Sequence, residues 1–324
     1  MKEKLLTEQR LRFIGWAITA LALALIGWSI STSDFLETDA WRDPAVLVGV
    51  FASAAIFTVC LCLIFAGWYL VIMSISQVPI SWREGFCIYA ISQIYKYVPS
   101  NVVHHIGRYY MLRQRGVDHR AAAWGFLTEV VLILIASTLV ALLFGAPLVR
   151  NAVADLSSST SLLLLVVGAL ILVVGAGIAA LLLGRRETLQ SFLSPFFRAR
   201  VLQASIAALL LHIGARVVGG VALWWLAMPV LGPGELALGG AIAVWAAAWT
   251  LGYITPGATA GLGVREAIMM AALVALTIPV SEATLLALAF RVATTLGDLL
   301  FAAMGWLVQR FVPVPVKPSH HSES

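Results

Sequence analysis

Long apolar runs alternate with short polar stretches from one end of the chain to the other. The runs at 13–30, 45–75, 121–144, 161–183, 201–228 and 282–308 approach or exceed the ~20 apolar residues that a helix needs to cross the hydrocarbon core of a bilayer. Weaker segments lie at 85–98, 236–255 and 267–278. The second of these ends on Pro256-Gly257, and the third is too short for a full crossing. The pattern predicts an all-α polytopic membrane protein with about eight hydrophobic segments. Lys2, Lys4, Arg10 and Arg12 precede run 13–30, as in a signal peptide. That run is longer than a signal's apolar region and no small-residue cleavage site follows, so it is read as an uncleaved anchor. Residues 1–312 then form a single transmembrane domain, and the Pro/Ser/His-rich stretch 313–324 a disordered cytoplasmic tail.

Composition sharpens this picture. Hydrophobic residues make up 61% of the chain and charged ones 11%, against about 25% charged in an ordinary soluble domain. No polar stretch is long enough for a separate soluble domain, which argues against an attached catalytic domain and against an enzyme. The net charge of +5 comes from basic residues clustered in loops, with no basic groove interleaved with aromatics. That excludes nucleic acid as the expected partner and fits positive-inside topology and anionic headgroups. Cys60, Cys62 and Cys87 have no metal-ligand or disulfide spacing and read as small packing residues. No nucleophile elbow and no metalloprotease motif occurs, and no cofactor or metal is expected.

The loop holding Asp34, Glu37, Asp39 and Asp43 is poor in positive charge and is placed outside. Arg113, Arg115 and Arg120, and again Arg185, Arg186, Arg198 and Arg200, mark cytoplasmic ends. Both termini come out cytoplasmic, in a bacterial inner membrane.

Two segments of the chain resemble each other. One runs Lys96-Tyr97-Val98-Pro99-Ser100-Asn101 and on to Gly107-Arg108. The other runs Gly252-Tyr253-Ile254-Thr255-Pro256-Gly257 and on through Gly261-Leu262-Gly263 to Arg265-Glu266. Each has a Tyr shortly before a Pro, then small or polar residues, then a Gly and an Arg. A long span precedes and follows each, and the charge bias sends the two leading spans in opposite directions. This is the pattern of an inverted repeat with halves at about 45–144 and 201–308, linked by span 161–183. Non-helical backbone at membrane depth is tolerated only where it is buried in protein or lines a wet cavity. The breaks at Pro99-Ser100, at Pro256-Gly257 and at Gly261 and Gly263 are therefore candidate re-entrant segments and site elements. The alternative is two ordinary loops between spans.

These residues also resemble a known family. Tyr95-Lys96-Tyr97-x-Pro99-x-Asn101 to Gly107-Arg108, then Gly116-Val117 and Glu129, is similar to the first signature of the lysylphosphatidylglycerol synthase transmembrane region, a flippase-like membrane domain. Pro256-Gly257, Gly261-Leu262-Gly263-Val264-Arg265-Glu266-Ala267 and Arg291 are similar to the second. The resemblance covers about residues 10–312. It implies moving or presenting lipids across a bilayer, with membrane lipids, anionic or polyprenyl-linked, as partners and envelope-biosynthesis enzymes as further ones. The chain departs from the family in lacking the aminoacyl-transferase domain, in having Ser100 where Gly commonly follows the Pro, and in carrying His104-His105.

Ionisable groups inside spans are costly and usually face a cavity or a partner. His212 and Arg216 are four apart, and Arg291 and Asp298 seven apart, so each pair shares a helix face. Arg108, Arg216, Arg265 and Arg291 are expected to line a cavity for an anionic phosphate headgroup, because a guanidinium fork binds phosphate oxygens bidentately. Lys96, Tyr97 and Asn101 flank the first break. Glu129, Glu266 and Asp298 are expected to pair with the arginines in the empty site or to carry a proton, and His104 and His105 are further relay candidates. The alternative is a set of internal salt bridges that fix helix packing, with Lys96 and Tyr97 as interfacial anchors. Three functional classes remain open: a lipid transporter or flippase, an intramembrane enzyme built on His104, His105 and Glu129, and a non-catalytic scaffold of an envelope assembly pathway.

Overall fold

The structure, a computed structural model, describes residues 43–97, 103–145, 198–255 and 262–311. Spans 13–30 and 161–183, the tail, and residues Pro99, Ser100, Asn101, Pro256, Gly257 and Gly261 lie outside the described residues.

Among the described residues every element is helical, which is the architecture of an all-α membrane protein. The order is α1 (Pro44–Ile75), α2 (Trp82–Ser92) running into a 3-10 turn (Gln93–Tyr97), α3 (Val103–Gln114), α4 (His119–Phe144), α5 (Ala199–Leu231), α6 (Leu238–Ile254), α7 (Val264–Ala275) and α8 (Val280–Phe311). Four of these, α1, α4, α5 and α8, are long and apolar enough to cross a membrane. The sequence thus reads twice as long helix, two short helices, long helix.

Local chemistry sets the helix starts. Asp43 caps α1, accepting from the Ala45 amide at 2.8 Å, and Pro44 occupies the first turn, where its missing amide costs nothing. Ser81 and Glu84 close a reciprocal capping box at the start of α2. Asp118 caps α4 through the Arg120 amide at 2.8 Å, and that hydrogen bond holds its carboxyl below the usual range.

Contacts along α1 and α5 establish that they are antiparallel. Gly49 meets Leu226 and Pro229, Ser53 donates to the Ala222 carbonyl at 2.8 Å, and Cys60 donates to the Ala215 carbonyl at 3.1 Å. At the far end Arg200 donates to the Met73 carbonyl at 3.1 Å. At that same end Trp82 of α2 packs on Phe65 and Tyr69, and Gly125 near the start of α4 meets Ile72. Helices α2 and α3 therefore leave from this end and return to it. At the opposite end Gly239 meets Phe144, and Gly240 meets Leu276 just beyond α7. Helices α6 and α7 enter and return there. The two short hairpins approach each other from opposite ends, between the long helices.

Close packing depends on small residues at the α5–α6 crossing. A methyl on Gly220 would lie 2.5 Å from Ile242 Cα, and one on Gly219 would run into the Trp245 indole. The obstacle at Gly220 is backbone, so the helices have to separate. Gly220→Ala is expected to destabilise the protein by about 1–3 kcal/mol, read as a lower midpoint in thermal unfolding of the detergent-purified protein. An unchanged midpoint would mean that α6 is free to shift.

Some local expectations need correction. The apolar run 201–228 underestimates its helix: α5 runs on through Pro229 to Leu231. Proline removes a single amide donor so near the end of the helix, and Gly232 (φ 96°) then terminates it, donating to the Met228 carbonyl at 3.0 Å. Segment 85–98 is helix only to Ser92 and 3-10 beyond it. The polar stretch after Pro99 holds a helix, α3, whose inward face is His104, His105, Arg108 and Leu112. A helix that buries polar residues has no apolar stripe to announce it.

Candidate functional site

The described ends of the two short helix pairs meet the long helices in a cavity of about 70 Å³. That is room for several waters at ~10–15 Å³ each. Its polar wall comes from every part of the fold: Lys96 and Tyr97 from the 3-10 turn, His104 and His105 from α3, Glu129 from α4, Arg216 from α5, Tyr253 from α6, Arg265 from α7, and Arg291 and Asp298 from α8. Phe57, Leu61 and Ile64 of α1 form the apolar wall. Glu129 lies roughly 15 Å along α4 at 1.5 Å per residue, so the cavity is deep within the helix layer.

Three carboxylates at the site are each held by a cation and a further donor. Glu129 accepts from Arg108 Nη1 at 2.9 and 2.7 Å and from the Tyr89 hydroxyl at 2.8 Å. Arg108 is itself 3% exposed. Its guanidinium carbon lies 3.7 Å from the Tyr89 ring centroid, and its Nε donates to Ser92 at 3.3 Å. Asp298 lies 2.6 Å from Lys96 Nζ and accepts from the Tyr97 hydroxyl at 2.6 Å. Glu266 lies 3.3 Å from Arg291 Nη1 and accepts from the Gly263 amide at 2.6 Å. Gly263 has φ 80°, a left-handed conformation that favours glycine and turns its amide onto that carboxylate.

Two guanidiniums stand apart. Arg216 is fully buried, and its Nε, Nη1 and Nη2 have no hydrogen-bond partner among the described residues. The Trp249 ring lies 4.0 Å from the guanidinium carbon, and Trp249 is stacked on Tyr253 at 4.9 Å. Arg265 packs near the Trp245 ring at 5.7 Å, and among the described residues its Nε is also without a partner and no carboxylate lies within ion-pair reach of it. His212, one turn before Arg216, is buried with both ring nitrogens unpartnered.

His105 joins the two hairpins. Its Nδ1 lies 3.7 Å from Glu129 and its Nε2 shares a hydrogen bond of 3.0 Å with the Tyr253 hydroxyl, while His104 stacks against it at 3.8 Å. No group of three or more His, Cys, Asp or Glu suited to a metal occurs among the described residues.

The structure therefore brings Lys96, Tyr97, His104, His105, Glu129, Arg216, Arg265, Arg291 and Asp298 to one cavity. Arg108 stands behind Glu129, and Glu266 behind Arg291. Sequence reasoning missed Tyr89 and Trp249. A hydroxyl-bearing aromatic inside the weak segment 85–98 was the available signal for Tyr89. Nothing in the sequence marks Trp249 among the other tryptophans. No protein-family model, curated protein or solved structure matches the chain.

Proposed function

We propose that the protein is a lipid transporter of flippase type, which receives the anionic headgroup of a phospholipid or polyprenyl-linked lipid in this cavity. The observation that carries the reading is Arg216, a buried guanidinium with no hydrogen-bond partner among the described residues, facing a cavity at mid-depth. Burying a charge in low dielectric costs several kcal/mol unless it is compensated. An anion that enters the cavity supplies the compensation.

The arrangement of the helices supports an inverted repeat. Exchange α1 with α5, α2 with α6, α3 with α7 and α4 with α8, and three pairs of packings map onto each other: α1–α8 onto α5–α4, α2–α8 onto α6–α4, α1–α4 onto α5–α8, while α5–α6 has only a slight counterpart in α1–α2. The hairpins enter from opposite ends. Alternate movement of one half against the other about a central site is the motion such a repeat provides. Arg83, Arg113, Arg115, Arg120, Arg198 and Arg200 flank helix ends on one side, which is the cytoplasmic side by the positive-inside rule. A bacterial inner membrane is the setting proposed with this reading.

The intramembrane-enzyme reading is less well supported. Glu129 already accepts from Arg108 and Tyr89, so it serves as a charge anchor rather than as a free base for His105.

The test is headgroup translocation in proteoliposomes with a panel of fluorescent anionic and zwitterionic lipids, for wild type and Arg265→Gln. Losing one charge-assisted contact of 1.5–3 kcal/mol predicts a fall in rate of roughly 10- to 100-fold. Folded wild-type protein that accelerates no lipid in the panel would shift the reading toward the scaffold.

A further inference from the structure

The charges around the cavity do not balance, and the imbalance identifies the charge its ligand should carry. Lys96 is matched by Asp298, Arg108 by Glu129 and Arg291 by Glu266, each within ion-pair distance. Among the described residues, Arg216 and Arg265 have no carboxylate of their own within ion-pair distance, and the two that act on Arg265 from farther away, Glu266 and Asp298, are already paired with Arg291 and Lys96. From this surplus of two we infer that the cavity takes a doubly charged phosphoryl group, a phosphomonoester at the end of a lipid, in preference to a singly charged phosphodiester. The inference rests on the lipid-transport reading above and narrows its substrate.

The physical reason is compensation in a low-dielectric site. A phosphodiester carries one negative charge and leaves one of the two guanidiniums buried without an opposite charge. A phosphomonoester carries a second charge above its second pKa of about 6 and compensates both. It also offers three terminal oxygens, enough for a bidentate contact with one guanidinium and a further contact with the other. The volume of about 70 Å³ suits a phosphoryl group without a bulky substituent. The apolar wall of Phe57, Leu61 and Ile64 suits the first carbons of the lipid chain.

Binding to the purified protein in detergent tests the inference with three probes: short-chain phosphatidic acid, short-chain phosphatidylglycerol and inorganic pyrophosphate. Trp249, stacked against both Arg216 and Tyr253, offers a fluorescence signal, with calorimetry as the independent readout. At about pH 8 the phosphatidic acid is expected to bind roughly 10-fold or more tightly than the phosphatidylglycerol. The preference should shrink at about pH 5, where the monoester carries one charge. Arg216→Gln and Arg265→Gln should each collapse the preference toward equality. Equal binding of the two lipids by the wild type at about pH 8 overturns the inference, and this comparison needs no variant to fold. Were those lipids also translocated alike, the transport reading would stand without the dianion preference. If pyrophosphate bound as tightly as phosphatidic acid and neither lipid moved in vesicles, a soluble phosphate compound would replace the lipid, with the preference for a dianion upheld.

Discussion

Arg108→Ala is expected to cost about 3–5 kcal/mol of stability, the range for breaking one side of a buried ion pair. Glu129 is 1% exposed and takes both Arg108 hydrogen bonds on its own two oxygens. Without the guanidinium, a carboxylate is left at mid-depth with one hydroxyl, that of Tyr89, as its close donor. Glu129→Ala should cost a similar amount from the other direction, because Arg108 then keeps only Ser92 and the faces of Tyr89 and Trp68. Changing both residues together, Arg108→Met with Glu129→Leu, should recover most of the loss, since an apolar replacement of a buried pair is often close to neutral. Thermal unfolding of the three variants in detergent provides the measurement. Single changes costing less than about 1 kcal/mol would place the pair in the class of solvated surface bridges.

The long helices were legible because length and apolarity are properties of contiguous sequence. Run 45–75 corresponds to Pro44–Ile75 and run 121–144 to His119–Phe144. Helix α3 was not legible, because its buried face is made of His104, His105 and Arg108, and a periodicity search looks for apolar residues. The spacing of seven between Arg291 and Asp298 correctly put both on one helix face. It could not tell that Asp298 turns to Lys96 while Arg291 turns to Glu266, because these partners come from the other elements packed against α8. The same limit applies to Arg216. Its place inside a span marked it as unusual, but that it is the charge without a partner depends on what α1 and α6 present to it: apolar side chains and the Trp249 ring. Pairings between helices are decided by tertiary packing, and the sequence of one helix carries little of that information.

Arg216→Met should make the empty protein more stable and the working protein worse. The wild-type guanidinium is fully buried, with no hydrogen bond and no ion pair among the described residues. Its contact with Trp249 contributes about 2 kcal/mol or somewhat more in a desolvated site, against a desolvation penalty of several kcal/mol for a lone buried ion. An unbranched thioether of similar length can fill the same space without the charge and adapt to an irregular gap. The expected gain is about 1–4 kcal/mol, the range seen when buried charged groups give way to apolar ones. Lipid translocation in the same preparation should fall by roughly 10-fold or more, from loss of a charge-assisted contact to the headgroup. The two readouts moving in opposite directions is what separates a binding residue from a structural one. A residue that fixes helix packing would lose stability and activity together when replaced, and that outcome for Arg216→Met would assign the guanidinium to the scaffold of the fold. Stability gained with translocation intact would instead leave Arg265 and Arg291 as the cations that meet the headgroup.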